Sequence, residues 1–416
     1  MLNLENYGEK VRLAVIGYGC RGKTQTELLL AMPDVEIVSV CDKYPDRVEQ
    51  AQADVEKASG KRPFGSVDAK EAMARPDVDA VVVFSSWETH ILHAVEALDL
   101  GKRVAMEVGG ASSVEECWSL VRKSEQTGIP VMLLENCCYG ENELTLLNMI
   151  RKGVFGTVVH CEGAYAHDLR DEIGNGDINR HYRQDHFLHR NGELYPTHEL
   201  GPIATYLNIN HGNRMVSLVS MASKSAGLHE WLRENRQDSP ALMNAQVNEG
   251  DVVTTLIKCA NGETIILKHD CTLPRPYSRG GVVRGTKGVW QEDNRGIYLD
   301  GITPHDPGDW MHHFESDEKY MKEYEHPIWT AYREIGARGG HGGMDFLCLR
   351  AFIESVQRDE EPPIDVYDAA AWMAITALSE QSIACGSMPM AIPDFTAGRW
   401  MLPRAKKATG SFVLFE

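Results

Sequence analysis

The chain has 416 residues, 43% of them apolar and 25% charged, the balance of a globular protein too long for one ordinary core. Its 60 acidic and 42 basic side chains leave a formal net charge of −18 with no Lys/Arg-rich run, which speaks against nucleic-acid binding and adhesion to anionic membranes. No apolar run approaches bilayer length, and the opening MLNLENYGEKVRL lacks a basic flank before an apolar core, so the expected location is cytoplasmic and no membrane partner is expected. The ten cysteines form no C-x-x-C pair and are expected as reduced, mostly buried thiols.

Val11–Ile16 is apolar apart from Arg12, as in a strand buried on both faces of a parallel sheet. It runs into Gly17-Tyr18-Gly19-Cys20-Arg21-Gly22 and then a helical segment, which is G-x-G-x-x-G in the strand–turn–helix setting that holds a dinucleotide. Gly17 makes the turn, Gly19 lets a pyrophosphate approach the backbone, and Gly22 packs helix on strand. Cys20 and Arg21 open the helix that faces the phosphates. A second strand, Glu36–Cys41, ends at Asp42, twenty residues after Gly22, where a carboxylate accepts both ribose hydroxyls of NAD and repels a 2′-phosphate. Lys43 and Arg47 are cations of the kind that suit NADP, yet the carboxylate favours NAD. Strand–helix repeats follow at Ala80–Phe84 with His90–Leu100 and at Arg103–Glu107 with Val114–Gln126. An α/β domain with a doubly wound parallel (Rossmann) sheet is therefore expected over residues 1–136.

From Thr157 the pattern becomes strand-rich: Thr157–Tyr165, Arg214–Ala222, Val252–Lys258, Thr264–His269 and Gly281–Val283 read as strands, with Asn261-Gly262 closing a tight hairpin. An α+β domain is expected over 137–416. Gly227–Val247 reads as a polar surface excursion and Trp290–Lys322 as a long loop or lid. Helices are expected near Met344–Gln357 and Val366–Cys385.

Within Tyr182–Pro202, three His, two Arg and two Tyr fall in 21 residues that no single period sorts. Such side chains are costly to bury unpaired, so the segment reads as a polar pocket wall. His181, His186 and His189 raise a zinc alternative, but the spacing H-x4-H-x2-H fits no common ligand pattern, and no metal is expected. Arg275, Tyr277 and Arg279 read equally as substrate contacts or scaffold. Asp345 reads as a helix cap or a sugar contact, and Trp87 as a stacking surface or core.

The run His90 … Gly101-Lys-Arg-Val-Ala-Met-Glu107 resembles the Gfo/Idh/MocA oxidoreductase superfamily, whose members carry Glu-Lys-Pro where this chain has Glu107-Val108-Gly109. The resemblance implies that Glu107 bonds the nicotinamide ribose, while Val108 cannot carry the proton that the lysine handles. The whole chain is more narrowly similar to the NAD-dependent glycoside hydrolases of family 109, best known as α-N-acetylgalactosaminidases. The matching stretches are Trp87-Glu-Thr-His90, Leu134-Glu-Asn-Cys-Cys-Tyr139, Gly163-Ala-Tyr165-Ala-His167-Asp-Leu-Arg170, Tyr182–Pro202, Pro274–Arg279, Gly285–Gly288, Gly340–Asp345 and Pro393–Thr396. Gly109 and Ser86 stand where that family commonly has Pro, and Glu199 where it commonly has Gly, next to His198.

The likeness implies a broad, mostly antiparallel open sheet in the second domain and a homo-oligomer, dimer or higher. It also adds Trp87, His90 and Asn136 to the NAD contacts. It implies a glycoside substrate and transient oxidation at sugar C3, which acidifies the C2 proton, expels the group at C1, lets water add, and ends with re-reduction. That chemistry needs two bases and an acid. His198 and Tyr195, at i and i+3 before a helix-like Pro202–Asn208, are the first choices. Arg183 supplies the cation that lowers a phenol's pKa or steadies an enolate oxygen. Tyr165, Tyr139 and His186 are candidates for holding sugar hydroxyls or water. The alternatives are an NAD-dependent sugar or cyclitol dehydrogenase, and a non-catalytic NAD-binding regulatory module.

Overall fold

The computed structural model describes residues 4, 7–336, 339–402 and 408–415. By compactness the chain forms two units: Met1–Leu144 with Glu325–Ala370 and Phe395–Glu416, and Thr145–Tyr324 with Ala371–Asp394. The grouping differs from a single cut after residue 136 because later segments complete the first unit. There Trp118 packs on Phe395 with ring centroids 4.7 Å apart, the Tyr139 hydroxyl donates to the Phe412 carbonyl at 2.9 Å, and buried Arg350 donates to Asp34 at 2.8 Å.

The first unit carries six strands, β1 (Val11–Ile16), β2 (Val35–Cys41), β3 (Phe64–Ser66), β4 (Ala80–Val83), β5 (Arg103–Met106) and β6 (Val131–Leu133), in the order β3-β2-β1-β4-β5-β6. All are parallel. The expected Rossmann sheet is thus present. Its strand order reverses between β1 and β4, which opens a crevice at their carboxyl ends where this fold takes a nucleotide. Arg12, the one charge of β1, reaches out of the sheet to Asp79 at 2.6 Å.

The second unit carries β7 (Val158–Ala166), β8 (Met215–Ala222), β9 (Val253–Cys259), β10 (Thr264–Asp270), β11 (Val282–Gly285), β12 (Gly288–Gln291), β13 (Gly296–Leu299), β14 (Glu315–Ser316) and β15 (Met390–Ala391). They form one sheet in the order β14-β13-β12-β11-β7-β10-β9-β8-β15. Every pairing is antiparallel except β7 with β10. The β9–β10 turn falls at Asn261-Gly262, where Gly262 takes a left-handed φ of 109°.

Three segments differ from expectation. Trp290–Lys322 is sheet as well as loop: β12 to β14 extend the sheet, and the Trp290 indole is buried, donating to Asp317 at 2.7 Å. Gly227–Val247 contains a helix, Gly227–Asn235, because Leu228 and Leu232 form a short apolar face four residues apart. The helix expected from Pro202 begins at Thr197, so His198 and Glu199 lie in its first turn, and Arg183–His189 is helical too. Among the described residues no disulfide links the cysteines, and no helix is long and apolar enough to cross a membrane.

Candidate functional site

In the first unit, glycine is required by space. A Cβ on Gly17, whose φ is 98°, would lie 2.6 Å from the Phe84 carbonyl carbon, and one on Gly22 would lie 2.2 Å from the Gly17 oxygen. The turn therefore lies tight against the end of β4 and delivers the helix Cys20–Leu30 with Gly19 as its N-cap and no side-chain hydrogen bond capping its first N–H groups. That bare N-terminus suits a phosphate. Asp42 is buried at the end of β2, accepting the Tyr18 N–H at 2.8 Å and the Tyr44 N–H at 3.0 Å, with Arg47 3.9 Å away.

Arg21 ties the far side together. Its guanidinium donates to Glu107 at 2.7 Å and to Asp345 at 2.8 and 2.9 Å. Asp345 also accepts from Gln25 at 3.1 Å, Asn136 at 2.5 Å and His341 at 2.8 Å. Burial works against the Asp345 charge, but the bonds from His341 and Arg21 outweigh it and hold the carboxyl well below the usual range. Asp345 is thus neither of the expected things: Gly343 caps the helix, and the carboxylate anchors the glycine-rich loop through Arg21.

His90 is buried with Nε2 3.0 Å from the Ser85 carbonyl, and burial brings its pKa down to about 4, so the ring is neutral. Trp87 is buried against Gly109, where a Cβ would meet its ring at 2.4 Å. Gly109 has φ 148°, a value closed to proline. Val108 is buried and carries no proton. Among the described residues, the buried Asn136 Oδ1 meets no donor. A bare helix N-terminus, a crevice at the strand reversal and an orphaned amide oxygen together fit a dinucleotide, as the sequence suggested.

The second unit gathers the other candidates. Tyr165, at the end of β7, packs its ring 4.5 Å from Tyr195 and 5.7 Å from His198. Tyr195 and His198 meet edge to face at 4.8 Å, with the phenol oxygen 3.4 Å from His198 Nε2. Arg183 lies over both phenols, 5.9 Å from the Tyr165 ring and 5.3 Å from that of Tyr195, and donates to Glu172 at 2.6 Å. Burial opposes the Arg183 charge, but the phenols and Glu172 outweigh it and keep it protonated. Arg183 does not bring Tyr165 below its ordinary pKa. Burial pushes that phenol up, and the guanidinium only tempers the rise. Tyr277 completes the group, its half-exposed ring 6.5 Å from Tyr165 and 5.1 Å from His167.

Other candidates fall elsewhere. Tyr139 belongs to the first unit, with its ring buried on Phe412 and its hydroxyl spent on the Phe412 carbonyl, so it presents no polar atom to a sugar. His186 lies 3.2 Å from Arg190, His181 3.6 Å from Glu172 and His189 3.0 Å from Asp185, three separate engagements. Arg275 is scaffold, donating to Asp270 at 2.7 Å.

Sequence reading missed Glu172, which anchors Arg183, and a buried group made of Glu193, Glu199, Glu249 and His269. His269 was findable: alternation along β10 puts it on the buried face with Ile265 and Leu267.

Two families match. The description "Glycosyl hydrolase 109, C-terminal domain" covers residues 139–402, and "Oxidoreductase family, NAD-binding Rossmann fold" covers 11–134. A glycosyl hydrolase family 109 protein of Stenotrophomonas maltophilia is 40% identical over 94% of this chain and 90% of its own. An α-N-acetylgalactosaminidase of Tannerella forsythia is 37% identical over 94% of this chain and 87% of its own. The solved WlbA dehydrogenase of Bordetella pertussis, in complex with NADH and UDP-GlcNAcA, shares the fold at a TM-score of 0.64 and 17% identity, over 93% of this chain and 99% of that one.

Proposed function

The chain belongs to glycosyl hydrolase family 109 and is an NAD-dependent enzyme, and on that premise we propose that it cleaves a small α-N-acetylgalactosaminide-like glycoside by transient oxidation of the sugar. The observation that carries the reading is the Tyr195–His198 contact at 3.4 Å under the charge of Arg183, in a chain whose β5 end offers Val108 in place of a lysine. Gly17, Gly19, Cys20, Arg21, Gly22, Asp42, Trp87, His90, Glu107 and Asn136 would hold NAD⁺, which when bound would supply a reversible hydride acceptor for sugar C3.

The chain's own residues handle protons and charge. His198 Nε2 and the Tyr195 hydroxyl form a two-member relay, able to take a proton from a sugar hydroxyl or carbon and return one to the leaving oxygen. Arg183, fixed by Glu172, places a permanent positive charge beside both phenols, where it steadies negative charge growing on a substrate oxygen. Tyr165 stays a neutral phenol and donates a hydrogen bond, and Tyr277, half exposed, offers an aromatic face to a sugar ring. A homo-oligomer and a cytoplasmic working location belong to the same proposal.

Purified protein is incubated with NAD⁺ and aryl glycosides in D₂O. Bond cleavage with deuterium at C2 and no NADH accumulation supports the reading. Steady NADH formation without cleavage makes the protein a sugar dehydrogenase instead. His198→Ala is expected to keep NAD binding and lose cleavage, and unchanged turnover in that variant would remove His198 from the mechanism.

A further inference from the structure

Behind the Tyr165–Tyr195–His198 group lies a set of side chains that the proposed reaction leaves without a role. Glu193 is 0% exposed, Glu199 3%, Glu249 0% and His269 1%. His269 stacks beneath Tyr165 at 6.4 Å and reaches Glu249 at 3.2 Å. Glu249 also accepts the Gly192 N–H at 2.9 Å, so it is well provided with donors. Glu193 and Glu199 are not. Among the described residues, Glu193 Oε2 and both Glu199 oxygens meet no N–H or O–H donor.

The two carboxyl groups are close enough for each to act on the other's proton, the relation in which one carboxyl can hydrogen-bond to the other. Two carboxylates cannot make that bond. It exists only when one group holds a proton, and two buried negative charges in contact would otherwise repel. Gly163 of β7 leaves room for the base of the Glu199 side chain, since a Cβ there would lie 2.9 Å from Glu199 Cβ.

The pair sits across the turn that carries the proposed relay. Glu193 Oε1 accepts the Tyr195 N–H at 3.4 Å, and the Glu193 backbone is itself fixed, donating to Ser379 Oγ at 2.7 Å and accepting from Thr376 Oγ1 at 2.6 Å. Glu199 follows His198 directly in the first turn of the helix Thr197–Tyr206. A bond between the carboxyls therefore fastens the start of that helix to the anchored residue two positions before Tyr195.

We propose that Glu193 and Glu199 share one proton and act as positioning residues, holding the Tyr195–His198 turn in its working geometry without touching substrate. The proposal rests on the reading of Tyr195 and His198 given above. The ionisable groups facing the pair are His269 of β10, Cys271 just beyond it and Glu249 before β9, with Glu380 next to Glu249. Burial opposes the His269 charge, but Cys271, Glu249 and Glu193 outweigh it and keep the imidazole protonated, so it offsets Glu249. Burial, with repulsion from neighbouring carboxylates, raises Glu199 well above the usual range and Glu193 to about 7. Loss of the shared proton leaves a second, uncompensated negative charge next to His198. The turn then loosens as pH rises.

Holoenzyme with NAD is compared as wild type, Glu199→Gln and Glu193→Gln. Glutamine keeps an N–H donor for the remaining carboxylate but has no proton to lose. Infrared spectra in D₂O are expected to show a protonated-carboxyl stretch near neutral pH that both substitutions remove. NMR titration of the His198 ring, identified by its absence in His198→Gln, is expected to show two inflections in wild type and one in Glu199→Gln. In the glycosidase assay, kcat at alkaline pH should fall in wild type but hold in Glu199→Gln, with KM little changed.

A carboxyl signal indifferent to both substitutions, or identical His198 titrations in all three proteins, overturns the pair. Should Glu199→Gln fail to fold, Glu193→Gln carries the same two spectroscopic expectations. If none of the proteins cleaves a glycoside, the proposed function falls, and the infrared and NMR results still decide the pair by themselves.

Discussion

Asp345→Asn tests the cofactor loop most directly. The carboxylate is 2% exposed and takes five donor contacts. Arg21, Gln25 and His341 reach Oδ2, while Arg21 and Asn136 reach Oδ1. Asparagine keeps one oxygen. Whichever way the amide turns, at least two donors face an N–H₂ group and lose their acceptor. A buried donor left unpaired costs about 1–3 kcal/mol. Arg21 keeps Glu107 and is 29% exposed, so part of its loss is recovered from water, and the sum comes to about 3 kcal/mol. Denaturant unfolding of the variant should move the first transition by that amount. Isothermal titration should show NAD bound about tenfold or more weakly, because Arg21 sits inside the glycine-rich turn. A variant within about 0.5 kcal/mol of wild type, with unchanged NAD affinity, would refute the anchoring argument.

Gly109→Pro should cost about 3 kcal/mol or more, because proline cannot take φ 148° and its ring would enter the Trp87 indole; the denaturation midpoint reads this out. His90, whose pKa falls from 6.5 to about 4, binds its proton less readily folded than unfolded. The stability it contributes is full above pH 6.5 and is lost as pH falls toward 4, by about 3 kcal/mol in all, so His90→Gln should flatten the stability curve over that window. Asp42→Ala should weaken NAD about tenfold while leaving NADP no weaker, and equal losses for the two cofactors would take Asp42 out of ribose selection.

What the sequence made legible was mostly local. The Gly17–Gly22 turn is fixed by contacts within a few residues of one strand and its neighbour, so spacing alone announces it. Alternation placed most strands of the second sheet within a residue or two. Groups whose meaning depends on distant partners were not legible. Asp345 reads as a cap until Arg21, 324 positions away, is seen to bind it. Tyr139 reads as a sugar ligand until its hydroxyl is found on Phe412. The Tyr182–Pro202 wall defied periodicity because its side chains are sorted by partners outside it, such as Glu172 for Arg183 and Glu380 for Arg190. The short β12 to β14 strands lay in a stretch rich in Asp and Gly, where turn residues mask the alternation.

The return of the chain to its nucleotide-binding half bears on synthesis at the ribosome. Tyr139 waits 273 positions for the Phe412 carbonyl, roughly 14–55 s at ordinary elongation rates. Until then Trp118 and Tyr139 lack the aromatic partners that cover them. A nascent Rossmann half released early, or a message cut short after the second sheet, would present that uncovered surface to chaperones and proteases.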